Sequence, residues 1–212
     1  MNKAGSFLSK TEILDAAEQT LRRFGPDKTS VTDVAKLLGV SHGTLYRHFP
    51  SKAALREAVT ERWLEEQIIL PLTAIAEAEG TGPLEQLKQY ITRLFELKAH
   101  HAEQDGEMFR MYAAVTEEAA ALIEAHIARI IGQLSTIIRS GQETNQLSQA
   151  ENASTLARAL FYATARYHHP AHAYEWQSSL IRQDFAQLWE LLARGLSPAP
   201  GPDIEGGNHN NE

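Results

Sequence analysis

The stretch GVSHGTLYRHFPSKAAL, residues 39–55, gathers His42, Thr44, Tyr46, Arg47, His48 and Lys52 within a few possible helical turns. On a helix advancing 100° per residue, Leu45 and Phe49 fall within about 40° of each other and form its core side. Gly43 and Arg47 lie opposite, with Thr44 and Tyr46 flanking them. The outward arc then offers bare backbone, a hydroxyl, a phenol and a guanidinium. Such groups suit a duplex major groove, with base edges reached from near the helix N-terminus and phosphates from its rims. Lys52 opens the next predicted helix, where the positive helix end would help it hold a neighbouring phosphate.

Other residues could carry chemistry of a different kind. His168 and His172 have the i, i+4 separation that binds zinc on a helix, and His100 and His101 form a second group. Pro170 breaks the helix that would align the first pair, and the chain has no cysteine to complete a ligand set. No metal site is expected. The chain also lacks a Gly-rich phosphate loop, an H-E-x-x-H pair and a Ser-His-Asp context. No cofactor and no enzymatic activity are expected, although an enzyme using the body histidines, or a helical interaction module, stands as the alternative.

These residues need helices to position them, and helical periodicity runs almost throughout. Ser9 with Glu12 has capping-box spacing, and Ile13, Leu14, Ala17, Leu21 and Phe24 recur at helical steps before Gly25-Pro26. Ser30 and Asp33 repeat the signal for a short helix with Val34, Leu37 and Leu38 on its apolar face, ended by Gly39. Ser41 caps a third, and a fourth runs from Ser51 to Pro71, which must end or kink it. Further helices are predicted near 83–102, 105–116, 119–140, 152–167 and 176–195. The segment ALIEAHIARIIGQLSTII is apolar around much of its circumference, as in a helix surrounded by others. No strand pattern occurs, and the fold class is all-α. It comprises an N-terminal three-helix helix-turn-helix domain (1–55), a larger helical effector-binding and dimerisation domain (56–196) and a disordered tail (197–212).

Composition agrees. Of 212 residues, 43% are hydrophobic and 22% charged, enough for a substantial core. Residues 1–60 carry nine Lys/Arg against six Asp/Glu, a net +3, and the remainder eleven against twenty-one, a net −10. A basic module on an acidic body follows. The absence of cysteine, of a secretory signal and of a long uncharged apolar run points to a cytoplasmic protein without a membrane span.

The residues FGPDKTSVTDVAKLLGVSHGTLYRHFPSKAALREAV closely resemble the N-terminal domain of the TetR family of bacterial transcriptional regulators. The matching positions are Phe24, Gly25, Thr29, Val31, Val34, Ala35, Gly39, Val40, Ser41, Leu45, Tyr46, Phe49, Lys52 and Leu55. The resemblance implies a ligand-responsive regulator that binds a palindromic double-stranded DNA operator as a homodimer; the leading reading is a repressor released by a small-molecule effector, with an activator as the alternative. It implies DNA contacts from Thr44, Tyr46, His48 and Lys52, with phosphate contacts from Ser30 and Thr32. His42 and Gly43 occupy positions that vary in the family and bear on operator choice, and Arg47 joins the set from its place on the outward arc.

A single helix-turn-helix reads a short half-site, so two copies about 34 Å apart are needed. The helices near 152–167 and 176–195 are the candidates for pairing. Leu156, Leu160 and Ala163 form one stripe, and Ile181, Phe185, Leu188 and Leu192 another, with Leu180, Trp189 and Leu191 beside it. In the middle of the body, Trp63, Phe95, Met108, Phe109, Met111, Tyr112 and Phe161 could line an effector site. His126 and Arg166 are its polar candidates. The same residues also suit an ordinary core. If they line a pocket, its effector is apolar or aromatic.

Overall fold

The structure, a computed structural model, describes residues 8–198. From Ala199 onward the expected tail lies outside the described residues. Among the described residues there are helices and no strand, in agreement with the all-α expectation. The helices are α1 (Lys10–Phe24), α2 (Val31–Leu38), α3 (His42–His48), α4 (Lys52–Leu64), α5 (Leu70–Ala76), α6 (Pro83–Gln104), α7 (Gly106–Glu118), α8 (Ala120–Glu143), α9 (Ala153–Ala163) and α10 (Ile181–Leu196).

The N-terminal helices start where the caps predict. Ser9 and Ser30 each accept from the backbone N–H three residues on, and the Glu12 and Asp33 carboxylates return the bond to the cap N–H. Gly39 ends α2 in the left-handed region at φ 66°, and its N–H and that of Val40 close the last turn on Lys36 and Ala35. Ile13, Val34 and Leu45 are fully buried beneath this turn, joined by Leu21, Phe49 and Leu55. Two residues read as core are not. Phe24 and Leu37 are about half exposed, at 49% and 50%, and Phe24 instead lies under the Arg23 guanidinium, 5.1 Å from its centroid. Each sits at the edge of a short apolar stripe that its neighbours already fill.

Pro71 neither ends nor sharply breaks the helix before it. Between α4 and α5 the chain makes one wide π turn over Glu65–Ile69, and the Leu70 N–H donates to Glu65 O, five residues back. Pro71 thus falls in the first turn of α5, where its missing N–H costs least. Past α9, the predicted helical run to 167 gives way to 3₁₀ turns over Ala165–Tyr167 and Pro170–Glu175 before α10 begins at Ile181.

The body packs α8 against α6, α7 and α9, with α5 beside α6. By length and apolarity α8 could cross a membrane. Here Ile130, Leu134, Ile137 and Ile138 bury its inner side among the neighbouring helices. A single continuous apolar core runs from Ile13 in α1 through Val59 and Trp63 in α4 to Leu94 and Leu134 in the body. Charged pairs reinforce the same joint. Arg62 of α4 bonds Glu18 at 2.9 Å and Asp15 at 2.6 Å, and Arg22 of α1 bonds Asp105, just before α7, at 3.0 Å. Gly25, at φ 78°, lies so close to α7 that a Cβ there would come within 2.5 Å of the Glu107 carboxylate.

Candidate nucleic-acid interface and effector site

The short helix α3 is held by its core side alone. Leu45 is fully buried and Phe49 is 3% exposed, while His42, Gly43, Tyr46, Arg47 and His48 are exposed and Thr44 is half-buried. The outward arc is therefore the one expected from the helical wheel. Ser41 caps α3 by accepting from Thr44 N, and its hydroxyl lies 3.0 Å from that of Thr44. The Arg47 guanidinium reaches the same hydroxyl at 3.4 Å, and the His42 and Tyr46 rings meet edge to face at 6.4 Å. These long, exposed contacts order the side chains along one ridge without tying them down.

Nothing inside the chain demands glycine at position 43. A Cβ there would meet only Ser41 Oγ, at 3.8 Å, and the backbone is ordinary helix. Gly43 leaves the N-terminal turn of α3 uncovered, which matters only to something approaching from outside. Lys52, exposed at the start of α4, rests its ammonium 3.4 Å from Asp27 O. Thr32 is half-buried in the first turn of α2. Ser30, also half-buried, has both its hydroxyl and its N–H engaged by Asp33 in the capping box. His42, Gly43, Tyr46, Arg47, His48 and Lys52 are exposed and Thr44 is half-buried, whereas the Ser30 hydroxyl and N–H are engaged in capping α2.

In the body the predicted lining residues Trp63, Phe95, Met108, Phe109, Met111, Tyr112 and Phe161 are all buried. Most join one chain of aromatic contacts. Trp63 meets Tyr112 at 5.6 Å between centroids, Tyr112 meets Phe109 at 5.7 Å, and Trp176 touches both Phe109 and Phe95. Phe161 stands apart from them, tilted against His168 at 4.6 Å. Arg166 does not belong to this interior. It is exposed and paired with Glu175 at 2.7 Å and Asp184 at 3.0 Å.

His126 is buried, and its Nε2 has no hydrogen-bond partner among the described residues. Burial, then the nearby Lys98 charge, holds its pKa well below the usual histidine range. Two further buried groups of the body were missed by sequence reasoning. Lys98 is 2% exposed, with its ammonium 3.8 Å from the Tyr112 ring centroid, and Trp176 closes the aromatic chain. A signal for Lys98 was present: Leu87, Ile91, Leu94 and Lys98 are spaced four, three and four apart, so the lysine continues an apolar stripe. The histidines of the 168–172 segment do not converge. His168 is buried and donates from Nε2 to Phe161 O at 3.1 Å, while His172 pairs with Glu175. Among the described residues no group of three or more His, Asp or Glu side chains could hold a metal.

Comparison with known proteins agrees with this arrangement. A family model described as bacterial regulatory proteins of the tetR family matches residues 13–59. A second, described as the tetracyclin repressor-like C-terminal domain, matches residues 83–189. The nucleoid occlusion factor SlmA of Marinomonas sp. (strain MWYL1) is 30% identical over 156 residues, covering 71% of this chain and 76% of its own. Two solved structures share the fold. SmeT, the repressor of the Stenotrophomonas maltophilia multidrug efflux pump SmeDEF, aligns with a TM-score of 0.63 at 18% identity, over 90% of this chain and 91% of its own. The transcriptional regulator FadR from Bacillus subtilis, in complex with stearoyl-CoA, aligns at 0.62 and 20% identity, over 88% of this chain and 99% of its own. The chain belongs to the tetR family of bacterial regulatory proteins. It is a DNA-binding transcriptional regulator.

Proposed function

We propose that this protein is a homodimeric repressor that binds a palindromic operator through α3 and releases it when a small molecule enters the body. The observation that carries the reading is the α3 surface. A fully buried Leu45 fixes the helix while Gly43, Thr44, Tyr46 and Arg47 stay on its outer side. Tyr46, Arg47 and the uncovered turn at Gly43 would meet base edges, and Lys52, His48 and Thr32 the flanking phosphates. His42 would add a donor near the N-terminus of α3. Residues 1–55 form the reading module and 56–196 the effector-binding and dimerisation body, with α4 shared between them.

Dimerisation falls to α9 and α10. Their outer faces leave Leu180 at 60% exposed, Leu191 at 68% and Tyr162 at 49%, beside half-buried Leu156, Leu188 and Leu192. Apolar side chains this exposed on α9 and α10 suit burial against a second copy. Pairing there would carry two α3 helices into successive major grooves about 34 Å apart. SmeT's role as an efflux-pump repressor and the stearoyl-CoA held by FadR support repression and a small-molecule trigger. Trp63 gives the trigger a route, since it sits on α4 among the aromatic residues of the body. Arg62 and Arg22 tie α4 and α7 to α1, so a shift of α4 would move the reading module as a unit. A regulator of this kind acts in the cytoplasm, where its DNA is.

The test is selection of bound duplexes from a random pool, followed by mobility shift at moderate salt. A selected inverted repeat bound by a dimer is the expected result. No selected sequence, or binding that persists after Tyr46 and Arg47 are replaced by alanine, would refute it.

A further inference from the structure

Five buried polar atoms lack a hydrogen-bond partner among the described residues: Arg56 Nε, Thr60 Oγ1 and Trp63 Nε1 on α4, Lys98 Nζ on α6 and His126 Nε2 on α8. Two of these, on Trp63 and Lys98, come from different helices and meet at the Tyr112 ring. The Lys98 ammonium lies on the Tyr112 ring, Trp63 packs against the same ring, and the Lys98 charge is felt at His126. A buried ammonium is costly unless an anion meets it, and a ring face offsets only part of that cost. The titratable neighbours that sense Lys98 are His101 on its own helix, His126 on α8, and His168 and His169 beyond α9. With Tyr112 of α7, none of these supplies a negative charge at neutral pH. Burial alone holds Lys98 well below the usual lysine range.

We propose that the body binds an amphipathic monocarboxylate, its carboxylate held by Lys98 Nζ with Trp63 Nε1, and its apolar part against Met108, Phe109 and Tyr112. One ammonium and one neutral N–H match a single negative charge and its two acceptor oxygens. The surrounding side chains offer an apolar surface to the rest of the molecule. Methionine and aromatic rings accept either an aliphatic or an aromatic body, so the carboxylate is the shared feature. The proposal rests on the ligand-responsive reading above and gives it a chemical class. Because Trp63 is both a donor here and a residue of α4, the acid is felt on the helix that leads to the reading module.

The test uses the full chain and two matched probe pairs, octanoate with octanamide and 2-naphthoate with 2-naphthamide, titrated by calorimetry and tryptophan fluorescence. The wild type is expected to prefer the acid to its amide by at least tenfold in one pair. Acid binding should also take up a proton near pH 7.5, so that the observed heat changes with the buffer's ionisation enthalpy. Lys98→Met is expected to keep the melting midpoint or raise it, bind the amide as before and lose the preference. Lys98→Arg should retain the preference. Equal binding of acid and amide by the wild type, binding of neither pair, or a preference that survives in Lys98→Met would each overturn the proposal. The wild-type acid–amide ratio and proton uptake decide the matter even if a variant fails to fold. Mobility shift without any acid tests the regulator reading separately, since a protein that ignores DNA yet prefers the acid fails only that reading.

Discussion

The α3 ridge and the interior around Lys98 handle polar groups in opposite ways. On α3, Tyr46, Arg47 and His42 stand in solvent beside half-buried Thr44 and touch their neighbours weakly. In the body, Trp63, Lys98 and His126 are shut away from water with donors unmet. The contrast follows from the partners. A duplex is a large polyanion that supplies contacts along a whole ridge, and exposed cations meet it at little cost before binding. A small molecule offers few atoms, so each contact must be made strong by excluding water. One surface keeps its groups hydrated and ready, and the other leaves them unsatisfied and selective.

The contrast can be broken most severely at the support of the ridge. Leu45→Ala removes a fully buried side chain and is expected to cost about 2–5 kcal/mol, with loss of operator binding, measured by urea unfolding and mobility shift. Acid probes the closed interior. Burial holds His168 at about 3, so from about pH 6.5 down towards 3 the unfolded chain takes up a proton that the folded one refuses. Stability from this group is present above pH 6.5 and falls by about 1.4 kcal/mol per pH unit below it. His126, also lowered, adds to the same trend. Unfolding midpoints across this range should flatten in His168→Gln.

Smaller effects sharpen the ridge itself. Tyr46→Ala should weaken operator binding by about tenfold with an unchanged melting midpoint, whereas Lys52→Ala should lower affinity evenly across sequences. The slope of log affinity against log salt should then fall by about 0.9 for each phosphate that the variant leaves unneutralised. Gly43→Ala is the finest probe. With only Ser41 Oγ nearby, it should leave stability within about 0.5 kcal/mol of the wild type while reducing binding to the selected operator.

The ridge was legible in the sequence because everything that builds it is local. Ser41, Gly39, Leu45 and Phe49 lie within eleven consecutive residues, and helix geometry alone sorts their sides. The family resemblance rests on the same stretch. The interior was legible only as a list of apolar residues. Whether Lys98 ends in water or under Tyr112 depends on α7 packing over α6, which no local pattern states. Arg166 illustrates the converse, an arginine at the end of an apolar helix that turns outward because Glu175 and Asp184 wait at the surface. The wide turn at Glu65–Ile69 was hidden for another reason, since Pro71 signals a break without saying how the chain will accommodate it.

The core runs without interruption from Ile13 to Leu134 across the joint at α4. A seam between independent units would let one melt while the other survived, and none divides the described residues. Heating should therefore produce one calorimetric transition, with the reading head and the sensor lost together, so anything that steadies the sensor also protects the head.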